Sequence, residues 1–201
     1  MPPSSEQDAK QMSEEQLRQV TVGELKPHDA PINLVEYNPD WPRFFSREAQ
    51  RIRSALGSRV LQIEHIGSTS IPGLIAKPII DILLVVTDSS DEASYIPALE
   101  AAGYVLRIRE PEWEQHRLFK GPDTNINLHV FTAGSKEIER HLIFRDWLRS
   151  DRTDRELYAE TKRQLAGQKW KYVQNYAAAK SKIVEAILSR AQAGKTVSGY
   201  A

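Results

Sequence analysis

The chain has 201 residues, of which 40% are hydrophobic, 27% charged and 8% aromatic, enough for one globular domain and too apolar for a wholly disordered chain. No apolar run approaches the ~18 residues of a membrane-spanning helix, and Met1 to Glu15 lacks the apolar stretch of a secretory signal. Without cysteine there is no disulfide frame, thiol nucleophile or cysteine zinc site, so a cytoplasmic protein with no membrane partner is expected.

The net charge of zero hides a gradient. Residues 1–31 carry 3 Lys and Arg against 6 Asp and Glu, residues 32–135 carry 10 against 13, and residues 136–201 carry 14 against 8. The basic last third is either a solvated helical face or the footprint of a phosphate-bearing partner.

Residues 1–33 read as a disordered tail, because apolar residues are too sparse to offset the entropy of ordering, although Glu14–Val20 could form a short helix. Order is expected from Leu34–Tyr37, and Asn38-Pro39-Asp40 makes a turn whose Asp40 can cap a helix. Phe45, Ala49, Ile52 and Leu56 form its apolar stripe, and Gly57 ends it. Val60–Ile66 and Ile79–Val86 read as strands, the second apolar enough to be buried on both faces. Asp91–Ala102 reads as a helix ended by Gly103. Tyr104–Arg109, Trp113–Lys120 and Ile126–Phe131 read as three further strands, the last two joined by a Gly121-Pro122-Asp123 turn.

The rest is helical. Lys136–Arg149 is one helix, Thr153 with Glu156 offers a capping box to the next, and Val173–Leu188 is the last, its apolar face carrying Tyr176, Val184 and Ile187. Strands first and helices after predict an α+β fold with a sheet of about five strands. The domain should span residues 34–190, with residues 191–201 frayed.

Glu64-His65-Ile66-Gly67-Ser68-Thr69-Ser70, followed by Lys77-Pro78-Ile79-Ile80-Asp81, is the most informative stretch. Asp81 alone interrupts an apolar strand. A buried carboxylate costs several kcal/mol without a partner, so it should meet a cation, hydrogen-bond donors or a ligand. Gly67 permits close backbone approach, while Ser68 to Ser70 add hydroxyls. A structural turn with a salt-bridged aspartate would explain the same residues.

These motifs resemble the GrpB family, whose fold is similar to that of the nucleotidyltransferase superfamily. The resemblance runs from about Glu36 to Arg190, through Tyr37-Asn38-Pro39-Asp40-Trp41-Pro42, Glu64 to Ser70, Pro72-Gly73, Lys77 to Asp81, Leu128-His129-Val130-Phe131 and Phe144-Arg145-Asp146-Trp147-Leu148-Arg149. Tyr158, Lys162 and Lys180 match the family's helical last third. Two-metal nucleotidyl transfer needs carboxylates at i and i+2 of one strand, and here the partner of Asp81 is Leu83. Relatives often carry histidine where this chain has Asn127. No metal site and no cofactor are expected.

What remains is a polar cluster. Glu64, His65, Ser68, Ser70, Asp81 and His129 are the candidate catalytic groups, with His65 equally readable as a hydrogen-bonded core residue. Gly67, Lys77, Arg117, Asn127, Arg145, Tyr158, Lys162 and Lys180 are the candidate contacts to an anionic substrate. Arg145 could instead pair with Asp146 or Asp151, and Lys180 could snorkel from an apolar stripe. His28, His116 and His141 read as surface residues; Trp113, Trp147 and Trp170 as core or rim.

Fungal members resembling this family are associated with aminoacyl-tRNA-dependent formation of arginine-containing cyclodipeptides. That resemblance implies a metal-independent transferase. Aminoacyl esters are already activated, so amide formation needs positioning and a proton acceptor. Ser68 or Ser70 could hold an acyl group transiently, and the basic last third could meet tRNA. Other relatives are fused to an enzyme of coenzyme A synthesis, which implies the alternative: a non-catalytic nucleotide-binding or folding-accessory module.

Overall fold

The computed structural model describes residues 12–27 and 31–198. Five strands form one mixed sheet: β1 (Gln62–Ile66), β2 (Ile80–Val86), β3 (Val105–Glu110), β4 (His116–Lys120) and β5 (Ile126–Thr132), in the order β1-β2-β5-β4-β3. β2 and β5 run parallel, and the other neighbouring pairs are antiparallel. The α+β expectation holds.

Alternation decides which side chain faces where. Ile63, Ile80, Ile82, Leu84, Leu128 and Val130 form the main core beneath α2 (Trp41–Leu56) and α3 (Ile96–Ala101). Each such side chain, fully buried, contributes about 1.5–3 kcal/mol. On the opposite face Ile66, Leu83, Val85 and Phe131 pack against α4 (Lys136–Ser150) through Ile138 and Leu142. β2 is therefore covered on both sides, as its apolar run predicts. α5 (Arg152–Ala166) and α7 (Ser181–Ser198) pack beside α4 over Ile71, Leu74, Leu148, Tyr158 and Ile187, with the short α6 (Val173–Ala178) between them. Among the described residues, no helix is long and apolar enough to cross a membrane.

Several boundaries differ from expectation for identifiable reasons. The helix expected over 91–102 is a 3-10 turn at Glu92–Ser94 followed by α3, because Pro97 must sit in a helix's first turn. Asp40 makes no side-chain cap bond, and α5 is capped by Asp151, whose carboxylate accepts from the Asp154 N–H, so the Thr153 box is not used. Trp113 lies in the β3–β4 turn, where Glu114 and Gln115 both take positive φ, and β4 begins only at His116. The helix expected over 173–188 breaks between Ala178 and Ser181: α6 turns Tyr176 to the sheet, while α7 packs Ile187 with α4 and α5. α7 also continues to Ser198, beyond the end expected for ordered structure, and Ala191 is buried.

The amino-terminal segment departs most from the tail reading. Ser13 and Gln16 form a capping box for α1 (Glu14–Val20), and Leu17 is fully buried. The Val22 N–H then donates to the Arg107 carbonyl, and Thr21 bridges to Ile108, so the segment lies along the edge strand β3. Local composition missed this because the anchor is one leucine plus the open edge of a distant strand. The parts of the expected tail at residues 1–11 and 28–30, with His28, lie outside the described residues, as do residues 199–201.

Deleting residues 1–27 is therefore expected to destabilise the protein. Losing the Leu17 contact alone costs about 2 kcal/mol, which for a chain this long lowers Tm by roughly 4–8 °C. Thermal unfolding of the truncated and full chains measures this; equal melting temperatures would restore the tail reading.

Candidate active site

Asp81 on β2 points away from α2, between the two core-facing neighbours Ile80 and Ile82. Beyond its carboxylate lies a cavity of about 590 Å³, walled by Gly67, Ser68, Lys77, Lys120, Asn127, His129, Lys162, Tyr176 and Lys180 among others. Elements distant in sequence converge here: β2, β3, β4 and β5 make the floor, and the turn after β1 and the α5 and α6 helices make the wall. The segment Thr21–Lys26 contributes Thr21, Glu24, Leu25 and Lys26 to the rim.

Gly67 sets the closeness of the turn to Asp81. Its backbone takes φ 67° and ψ −174°, a conformation essentially restricted to glycine. A Cβ there would lie 2.3 Å from Asp81 Oδ2.

A polar network crosses four strands on this face. Lys120 Nζ donates to Asn127 Oδ1 at 2.6 Å, and Asn127 Nδ2 donates to Asp81 Oδ1 at 2.7 Å. His129 Nε2 stands 3.7 Å from the same Asp81 oxygen, within ion-pair range when protonated but too far for a neutral hydrogen bond. His129 Nδ1 is 3.0 Å from His116 Nε2, and His116 Nδ1 is 2.7 Å from Glu110 Oε2. Burial pushes His116 down to about 4, against the pull of Glu110, so it is neutral near pH 7. Because a carboxylate only accepts, His116 keeps its proton on Nδ1 and accepts from His129 Nδ1–H. Nε2 is then the His129 nitrogen that faces Asp81 and is free to exchange a proton.

Charge in the cavity is unbalanced. Lys26, Lys77, Arg107, Lys120, Lys162 and Lys180 line it, against Glu24, Asp81 and Glu110. Burial lowers Lys77 to about 8, helped by Lys180 and opposed by Asp81; it lowers Lys120 and Lys180 as well, and Lys162 to about 6. Burial pushes Asp81 up, but His129, Asn127 and Lys77 outweigh it and hold the carboxyl below its ordinary range. Lys77 and Lys180 each stand over the ring of Tyr176, at 5.3 and 4.9 Å. That tyrosine is 1% exposed, and its hydroxyl has no hydrogen-bond partner among the described residues. A buried donor without a partner costs about 1–3 kcal/mol and marks a place that a ligand atom would satisfy.

The donors do not fit two divalent ions. Leu83, the i+2 neighbour of Asp81, is fully buried, and the facing strand offers Asn127 and His129 rather than carboxylates. No group of three or more acidic, histidine or cysteine ligands occurs among the described residues, and lysines occupy the surroundings.

Of the residues singled out from sequence, Gly67, Ser68, Lys77, Asp81, Asn127, His129, Lys162 and Lys180 line the cavity, and Tyr158 lies against Lys162. Others stand elsewhere. His65 points to the α2 side, stacked on Phe45 at 4.9 Å and bonded to Thr69, and is a core residue. Glu64 receives Arg145 at 2.9 Å, and Arg145 also bonds the His65 carbonyl and Asp146, so these two clamp α4 to β1. Ser70 is buried with its hydroxyl on the Gly67 carbonyl, closing the turn. Arg117 faces the α3 side and is paired with Glu92 at 2.6 Å.

Sequence reading missed Glu110, Lys120 and Tyr176, and took His116 and His141 for surface residues, although His116 is buried and His141 lines the cavity. His116 is 3% exposed. Trp113 packs edge-on against His116 and Phe131, Trp147 donates to Asp154, and Trp170 donates to the Leu165 carbonyl, all packing roles.

Residues 31–190 match the family described as GrpB protein. A UPF0157 protein of Halalkalibacterium halodurans is 61% identical over 194 residues, covering 96% of this chain and 100% of that protein. A dephospho-CoA kinase of Mycolicibacterium paratuberculosis is 29% identical over 160 residues, covering 67% of this chain and 39% of the kinase. The crystal structure of the conserved protein GrpB from Enterococcus faecalis superposes with a TM-score of 0.68 at 32% identity, covering 79% of this chain and 96% of that one. With that neighbour, the mixed sheet and helical last third make a nucleotidyltransferase-like fold. The chain belongs to the GrpB family.

Proposed function

We propose that this cavity is the site of a transferase that works without two-metal chemistry on an activated, phosphate-bearing acyl donor. The observation that carries the reading is the pairing, in one cavity, of His129 with Asp81 inside a ring of lysines. Lys77, Lys120 and Lys180 supply charge for donor phosphates, and Asp81 receives the ammonium or guanidinium of the donor in charge-assisted hydrogen bonds. His129 Nε2 takes the proton of the attacking amine. His116 and Glu110 then hold the imidazolium's other N–H, as a second group orients the base in a catalytic triad.

An aminoacyl-tRNA fits this description as donor, with an arginine-containing cyclodipeptide as product; its polynucleotide would meet the basic last third. The test is mass spectrometry of small molecules made by cells overproducing the chain, with RNA co-purification assayed across salt concentrations. Purified activity should survive EDTA on a donor containing no structured RNA. Asp81→Asn should lower it at least ~10-fold, because the shape remains and the charge is lost. Complete loss with EDTA, restored by Mg²⁺ or Mn²⁺, would overturn the reading. Leu83→Asp should cost stability without creating nucleotidyl transfer, since it buries an unpaired acid.

A second reading has one observation in its favour: the match covers only 39% of the length of a dephospho-CoA kinase, as an accessory module would. On that reading the lysines and the Tyr176 hydroxyl bind a nucleotide that is not transformed. Nucleotide binding by calorimetry, with no new small molecule in the overproducing cells, would favour it.

A further inference from the structure

Lys162 is the least explained side chain in the cavity. It is 2% exposed, and among the described residues it has no carboxylate within ion-pair distance. Its Nζ bonds the Ile75 carbonyl, stands 4.8 Å over the Tyr158 ring and lies 3.1 Å from Ser68 Oγ. The charges that influence it, Lys180 and Arg163, are both positive. A buried amine among cations stabilises nothing by itself, so its place beside a half-exposed hydroxyl calls for a chemical explanation.

We propose that Ser68 is a nucleophile that Lys162 activates, so that Ser68 carries an acyl group as an ester between two half-reactions. The proposal deepens the transferase reading and rests on it for the choice of donor, an activated ester. Burial lowers Lys162 to about 6, so the amine is free near neutral pH, and the hydrogen bond then runs from Ser68 O–H to Nζ while an N–H is kept on Ile75. Tyr158 lies against the same lysine, and burial raises its phenol to about 12, so it stays protonated and does not compete for the serine proton.

In the first step Oγ attacks the donor's carbonyl carbon. The Oγ–C bond forms, the bond from that carbon to the donor oxygen breaks, and the serine proton passes through Nζ to the departing alkoxide. In the second step His129 takes one proton from the incoming ammonium, the amine nitrogen so freed bonds the carbon, the C–Oγ bond breaks, and the nitrogen's surplus proton returns through Nζ to Ser68. Gly67 and Asp81 set the attack distance: the turn lies against the carboxylate that would hold the donor's cationic group.

The full chain is treated with a fluorophosphonate, which phosphonylates activated serines with loss of fluoride, and its intact mass and peptides are followed over pH 5–9. A single adduct on Ser68 is expected, forming at a rate that rises through about pH 6 and is level above it. Ser68→Ala should abolish it, the peptide masses should show none on Ser70, and Lys162→Met should slow it ~100-fold or more at an unaltered fold. No Ser68 adduct on the folded wild type, a rate still climbing at pH 9, or an adduct indifferent to Lys162→Met would overturn the proposal. Should Lys162→Met fail to fold, the wild-type pH profile decides. Product formation by Ser68→Ala separates the two readings: if it persists, the transferase stands and the acyl-serine falls.

Discussion

Gly67→Ala is expected to lower the melting temperature by about 4–12 °C and to abolish the proposed transferase activity. Two costs add. The backbone at φ 67° and ψ −174° is nearly closed to any side chain, a penalty of about 1–3 kcal/mol. The new Cβ would also sit 2.3 Å from Asp81 Oδ2 and 2.9 Å from its Cβ and Cγ. Asp81 cannot swing aside cheaply, because Asn127 holds its other oxygen at 2.7 Å. At roughly 2–4 °C per kcal/mol for a chain of this length, a combined cost of about 2–3 kcal/mol gives the stated shift. Gly73→Ala supplies the control: its φ is 77° and nothing lies within 4 Å of its Cβ, so only the backbone cost applies. Thermal unfolding monitored by circular dichroism compares the two. If Gly67→Ala melts with Gly73→Ala and keeps its activity, the contact with Asp81 has no functional weight.

The same contact shows what the sequence made legible. A lone aspartate inside an apolar strand, after a glycine-serine turn, announces a buried charge with a nearby loop, and the structure puts these together. Neighbours within the motif were harder to sort. Glu64, His65 and Ser70 share a motif with Gly67 and Ser68, yet alternation along β1 sends His65 to the core and gives Glu64 to Arg145. Arg117 failed for the same reason: it pairs with Val130, whose side faces α2. The missed residues depend on register across strands. Lys120 opposite Asn127 and Leu118 opposite His129 follow from the antiparallel hairpin that Gly121 turns, and that register brings His116 to His129. Tyr176 and Lys180 reach the cavity only because the last expected helix breaks between them and α7, a break that a continuous apolar stripe conceals.

Acidification from pH 7 to pH 5 is expected to lower Tm by about 12–24 °C, before most carboxylates of ordinary pKa are protonated. His65 and His116 are 7% and 3% exposed, and burial is the largest cause that lowers each to about 4. Around His65 the charges oppose one another, Asp81 favouring the cation and Arg149 and Arg145 disfavouring it; around His116, Glu110 favours it while His129 and Arg117 do not. Unfolded, both titrate near 6.5. Between about pH 6.5 and pH 4 the unfolded chain thus binds more protons than the native one, so stability falls as pH falls. At pH 5 His65 and His116 together cost roughly 4 kcal/mol, and His141, lowered by burial to about 3, adds roughly 2 more. Asp81, Glu92 and Asp154 are held below their ordinary ranges, so the stability they contribute is lost only under more acid conditions. Melting curves at half-unit pH intervals measure the slope. His65→Gln removes one of the three titrating rings while keeping a partner for Thr69, and its curve should fall about two thirds as steeply as the wild type's. A wild-type Tm level from pH 7 to pH 5 would mean that both imidazoles gain protons in the folded state, and the hydrogen-bond directions assigned to His129 would have to be reversed.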